Sequence, residues 1–317
     1  MRRALAALAC AAAAVSGCGL GAGDASTDRG VSVVVSSGFG TDQLKAIEAE
    51  RVREDETVMR LLQREFDVTT RFGGGFVQSI EGLAGGSRGG RRFDWFYYVN
   101  GIEASEGAAS REIAPGDRIW WDHHDWSTAP RIPAVVGAFP EPFVSGSEGE
   151  RRPVRIDCAP QSERECDEVA RRLVAAGVRA TPRSALGTSA GIEILRVLVG
   201  PWEEVRRDPT AAVIGKGPQH SGVFARPHAG GIDLLDPEGK VVRTLTDAGG
   251  LVAATRFEEQ QPTWVVTGTD AAGVAAAASA LDEGVLMNRF ALAVEEGRGV
   301  PLPVQPQAPP QEPSQQP

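Results

Sequence analysis

Both tyrosines and four of the six tryptophans of this 317-residue chain lie between Trp95 and Trp126. Trp95, Tyr97, Tyr98, Trp120, Trp121 and Trp126 are therefore its densest concentration of binding chemistry. An indole or phenol ring presents a flat apolar face with a polar handle, which suits stacking on a flat ligand or a carbohydrate. Side chains on a strand alternate, so Ile119, Trp121, His123 and Asp125 share one face, while Trp120, Asp122, His124 and Trp126 share the other. A small sheet has one core face, so at least one tryptophan is expected outside the core and free to bind. The competing reading buries the rings under the apolar segment from Ile132 to Phe143, because buried aromatics outnumber ligand platforms.

Other polar groups suggest chemistry less strongly. Asp122, His123, His124 and Asp125 are metal-ligating types, but alternation leaves at most one His and one Asp on each side. That is too few for zinc, which takes three or four protein ligands, and a solvated strand edge is the expected setting. The run from Gly215 to Gly222 does not follow the order of a phosphate-binding P-loop, so it reads as a turn-rich connection. Ser221 with His220 or His228 would be a nucleophile and base for hydrolysis, yet no nucleophile elbow surrounds them. No catalytic residue and no metal ligand is assigned, and non-covalent binding is the expected activity.

The cysteines place the chain. Arg2 and Arg3, the apolar run from Ala4 to Val15, and then Ser16, Gly17 and Cys18 read as a signal peptide over residues 1–17. The run is too short to span a bilayer, which takes about 20 residues. Val15 to Cys18 resembles the lipobox of bacterial lipoproteins, which implies cleavage before Cys18, lipid on its sulfur, and attachment to the outer face of the cell membrane. Cys158 and Cys166 then remain as a pair, and an oxidising compartment favours a structural disulfide between them. The net charge is −9, with both signs scattered along the chain, which argues against nucleic acid as a partner.

The elements that must position these residues divide into two folded parts. Residues 18–30 are a tether rich in Gly, Ala, Ser and Asp, and residues 301–317 a Pro and Gln tail expected to stay unfolded. In the first part, 31–126, Val31 to Ser37 reads as a strand and Thr57 to Phe66 as a helix. Leu44 to Val52 is helical by propensity, with a hairpin strand as the alternative. Phe93 to Val99, the turn at Asn100 and Gly101, and Arg118 to Trp126 complete a β-rich unit. Residues 127–153, with several prolines, are a linker or crossing segment.

The second part, 154–300, alternates strand and helix. Strands are expected at Val154 to Asp157, Ile192 to Val199, around Val213 and Val223, and at Thr263 to Thr267, with a hairpin of Gly231 to Leu235 and Lys240 to Leu245. Helices are expected from Ser162 to Ala176, opened by a Ser162 and Glu165 capping box, and from Asp270 to Asp282, stopped by Gly284. The class is α+β, with a mixed α/β second domain.

Phe93 to Trp126 resembles the transcobalamin-like C-terminal domain family of bacterial surface proteins. The features that carry the likeness are Trp95, Tyr97 and Tyr98, the Asn100 and Gly101 turn, the Pro115, Gly116 and Asp117 turn, and the final aromatic strand. Thr57 to Leu62 and Gln78 to Gly82 extend it, so that it spans about residues 31–126. The resemblance implies a β-grasp-like fold, with Leu44 to Val52 as a strand. It also implies cobalamin or another flat cofactor as a ligand, for delivery to a membrane transporter, although the chain lacks the helical barrel that completes the vitamin carriers. A cell-envelope scaffold that contacts another protein is the alternative.

Overall fold

The computed structural model describes residues 30–306, apart from residues 51, 54, 148 and 259. Cys18, its lipobox, most of the tether, and the tail after residue 306 lie outside the described residues. Among those described, no helix is long and apolar enough to cross a membrane.

The β-branched strand Val31–Ser37 pairs antiparallel with Asp42–Ala49 and parallel with Arg118–Asp125. The latter pairs antiparallel with Arg91–Val99, and Gly86–Arg88 completes that edge. The helix Val58–Glu65 lies on one face, capped by Thr57, whose hydroxyl accepts the Arg60 N–H at 3.3 Å. A helix on a mixed sheet whose first and last strands run parallel is the β-grasp-like arrangement. Leu44 to Ala49 is a strand despite its helical propensity. In register, Lys45, Ile47 and Ala49 oppose Val35, Val33 and Val31, and pairing with an apolar strand outweighs the local preference. The hairpin turn has Asn100 and Gly101 at φ 55° and 77°, the left-handed pair that this kind of turn requires.

The second part is a seven-stranded sheet in the order Arg183–Ala185, Val154–Cys158, Leu195–Pro201, Thr263–Gly268, Gly250–Thr255, Ala291–Glu295, Arg298–Leu302. Its first four strands are parallel and the rest antiparallel. Helices Glu163–Ala175 and Ala271–Ser279 pack on one face through Cys166, Val169, Leu173, Val274 and Ala277. The Cys158–Cys166 disulfide forms, with Cα atoms 6.2 Å apart, and ties that first helix to the end of its strand.

Several expectations are corrected. Ser162 stands at the helix start, but its side chain makes no capping hydrogen bond. Residues around Val213 are not a strand. Asp208 caps Pro209–Ala212, a 3-10 turn follows at Val213–Lys216, and Pro218 opens another helical turn, because Pro at the first helical position favours a turn over a ladder. Val223 likewise precedes its strand, which is Ala225–His228. The helix Ala271–Ser279 ends at Ala280, and Gly284 sits inside the next turn, capped by Asp282. Folding also continues beyond residue 300. Arg298–Leu302 is an edge strand, and the Val304 N–H donates to the Leu235 carbonyl at 2.8 Å.

The segment 127–153 is packed, not free. Ile132, Val135, Val136, Phe139 and Phe143 are buried. Its backbone joins both parts, with the Val135 N–H donating to Gly101 and the Val136 N–H to Phe290. One hydrophobic cluster then runs from Phe39, Tyr98 and Trp120 through Ile132 and Val135 to Leu198, Phe224 and Phe290. The first sheet is thus covered on both faces, by its own helix and by the second part.

Candidate functional site

That double cover decides where the aromatic residues go. Trp95, Tyr97 and Trp121 lie in the core under the helix. Trp95 Nε1 donates to the Leu83 carbonyl at 3.0 Å, the Tyr97 hydroxyl to the Glu106 carbonyl at 2.6 Å, and the Tyr97 and Trp121 rings stack at 4.8 Å. Tyr98 and Trp120 face the seam between the parts, where Trp120 Nε1 donates to Ser36 Oγ at 2.7 Å. Alternation was therefore legible, but the face left open by a single-core assumption is filled by the rest of the chain. Trp126 alone of the six keeps a partly exposed ring, beneath the Arg92 guanidinium at 3.7 Å.

The adjacent polar run is also buried, not a solvated edge. Asp122 accepts from Ser36 Oγ at 2.6 Å, from the Phe39 and Gly40 N–H groups at 3.0 and 2.8 Å, and contacts His124 Nδ1 at 2.9 Å. It clamps the turn after the first strand. His124 is sandwiched between Phe39 and Phe96, at 4.7 and 4.6 Å. Asp125 is bound by Arg91 Nε at 2.7 Å and the Ser127 N–H at 3.0 Å. Burial alone would raise its pKa, yet the Ser127 and Arg91 bonds hold it below the usual carboxylate range. Among the described residues no group of three or more potential ligands could hold a metal ion.

His123 is different. Its ring stacks near-parallel on Phe93 at 5.8 Å and leans on Trp95 at 5.2 Å, it is 7% exposed, and among the described residues its Nε2 meets no hydrogen-bond criterion. Burial lowers its pKa, against the opposing pull of the Ala84 carbonyl and of Asp122. The neutral imidazole is thereby favoured.

His123 and Phe93 belong to the wall of a 260 Å³ cleft at the end of the first sheet. The turn at Gly38 and Phe39 forms another side, and Pro237 and Gln305 of the second part complete the lining. Gln305 Nε2 donates to the Gly38 carbonyl at 3.0 Å, which fixes that side. The guanidiniums of Arg88 and Arg91 stand 5.9 and 5.3 Å from the Phe93 ring centre. Arg91 is neutralised by Asp125 and Glu238, each at 2.7 Å. Among the described residues, Arg88 has no carboxylate within ion-pair distance.

In two other cavities an arginine of the lining is already paired with a glutamate. A 260 Å³ cleft beside Glu103 contains Arg152 paired with Glu193, and a 380 Å³ cleft beside Trp120 contains Arg118 paired with Glu283. Ser221 Oγ donates to the Gly217 carbonyl and accepts from the Val223 N–H. His228 contacts Asp233, so the structure does not bring these two together as nucleophile and base.

Sequence reasoning missed Phe93, Arg88 and His123 as one site. The available signal was an aromatic opening the strand just after two arginines and a Gly-Gly turn, opposite Asp125 in register and diagonal to His123.

Residues 55–125 match the model of a family described as a domain of unknown function, DUF4430. Among solved structures, the chain is similar to the crystal structure of a "putative metal binding protein" from Ruminococcus gnavus. The two are 16% identical, the match covers 31% of this chain and 97% of that one, and the TM-score is 0.25. No curated protein matches the sequence.

Proposed function

We infer that the chain is an extracytoplasmic binding protein, lipid-anchored through Cys18, that captures a small flat molecule without altering it. The observation that carries this reading is the cleft at the end of the first sheet, where the stacked Phe93 and His123 rings meet Arg88, a cation without a carboxylate partner among the described residues. A concave, mostly apolar site with few polar groups is the usual form of a small-molecule site. The transcobalamin-like resemblance of residues 31–126 makes cobalamin the first flat cofactor to test, with a membrane transporter as the recipient. At 260 Å³ the cleft is below the roughly 300–1,000 Å³ of drug-sized sites. A corrin would therefore engage it by an edge or a side group.

Calorimetric titration of the full chain with cobalamin and a panel of flat vitamins tests the reading. Binding that weakens at least about tenfold, or 1.4 kcal/mol, in Phe93→Ala is expected. Binding unchanged by that substitution, or absent for every compound, overturns it. The anchor is tested separately by fatty-acid labelling, which Cys18→Ser should abolish.

One observation favours the scaffold alternative. Phe72 is 87% exposed at the apex of the hairpin formed by Val68–Arg71 and Phe76–Ile80, edge-on to Phe76. A photocrosslinker at position 72 that captures one envelope protein stoichiometrically, in a chain that binds no small molecule, would decide for it.

A further inference from the structure

We propose that the cleft at the end of the first sheet selects a planar aromatic anion, a fused or single ring carrying one carboxylate. This rests on the capture reading and adds the chemical class of the ligand. The floor sets shape. Phe93 and His123 lie within 14° of parallel, so a flat ring can extend the stack where a puckered one cannot.

Charge sets sign. Arg91 is engaged by two carboxylates, whereas Arg88, beside the same ring, has none among the described residues. In a chain of net charge −9, a guanidinium held near an aromatic wall without a counter-ion is a place prepared for an incoming anion. A ligand cation would meet the uncompensated charge of Arg88. Asp125, the one carboxylate in the wall, already accepts from Arg91 and Ser127 and offers a cation little.

Burial sets position. His123 is more than nine-tenths buried and its Nε2 is closed to the cleft, so its ring braces Phe93 and leaves Arg88 as the polar contact for a ligand. A bare inorganic anion would leave the aromatic wall uncovered. A neutral ring would leave Arg88 uncompensated.

The test uses the full chain in detergent micelles and four commercial probes, 2-naphthoate, 2-naphthamide, 2-naphthylmethylammonium and cyclohexanecarboxylate. Isothermal titration should give naphthoate at least a tenfold advantage over each of the others, and the advantage should shrink as salt rises. Arg88→Gln, an exposed position where folding is not at stake, should bring the naphthoate-to-naphthamide ratio close to one and leave naphthamide unchanged. Phe93→Leu should weaken naphthoate and naphthamide alike. Equal binding of naphthoate and naphthamide, both lost in Phe93→Leu, overturns the anion preference and leaves the capture reading standing. A naphthoate preference untouched by Arg88→Gln also overturns it. Absence of binding by all four probes and by the vitamin panel overturns both.

Discussion

At the scale of single residues, burial separates the aromatic side chains into two groups with different mutational consequences. Trp121 is 3% exposed and stacked on Tyr97, so Trp121→Ala should cost about 3–5 kcal/mol in a denaturant melt through the cavity it leaves. Trp126→Ala removes a half-buried ring and one cation–π contact, and about 1 kcal/mol is expected. His123 adds a dependence on pH. Burial depresses its pKa, so the unfolded chain binds a proton more readily than the folded one. The stability this gives is fully present above the ordinary imidazole pKa of 6.5 and is lost as pH falls through the lowered value. Denaturant melts at pH 7.5 and pH 5 should show that loss, and His123→Phe should reduce it. None of this was legible from residue type alone. Strand alternation correctly split His123 from His124, and the choice between an open second face and one covered by Ile132 to Phe143 needed the structure.

At the scale of elements, the sequence was most readable where a pattern was strong and local. Val31–Ser37, the Thr57-capped helix and the Asn100 and Gly101 turn all follow from β-branching, capping and left-handed turn chemistry. The 42–49 strand was ambiguous because its partner, not its own composition, decides it. The turns around Val213 were misread because Pro209 and Pro218 start helical turns in a stretch whose valines suggested strands.

The residue before the cap of the first helix makes a prediction of its own. Glu56 is buried. Burial would raise its pKa, but the Arg53 N–H at 2.9 Å and an ion pair with Arg64 outweigh it and hold the pKa down. Its contribution is therefore present above the unfolded value of 4.5 and is lost as pH falls below it. The difference in stability between the parent chain and Glu56→Gln should be largest near neutrality and vanish in acid. The Cys158–Cys166 bridge closes only a short loop, so its reduction should lower stability by roughly 2–3 kcal/mol at most, read as a shift in the urea midpoint.

At the scale of the molecule, the apolar segment from Ile132 to Phe143 does cover the first sheet, as the competing reading held, and what the sequence did not show is that this cover continues into a core shared with the second part. Backbone approach is close there. A Cβ added to Gly137 would lie 2.6 Å from the Arg289 nitrogen and 2.8 Å from the Trp120 ring. Gly137→Ala should therefore destabilise both parts together, in a single transition followed by Trp fluorescence and far-UV circular dichroism. A fragment of residues 30–126 leaves Phe39, Tyr98 and Trp120 uncovered, and it should bind a hydrophobic dye that the full chain does not.

The ring contact between Phe39 and Phe290 also sets a clock. Chains emerge N-terminus first at about 5–20 residues per second. Roughly 160 residues separate the end of the first sheet from Phe290, so the ribosome needs about 10–30 s to supply the missing cover. Throughout that interval the aromatic surface has at most the partial cover of Ile132 and Val135. In a chain that folds after export the same gap recurs as it emerges from the membrane, so slowed translocation should lower the yield of folded protein.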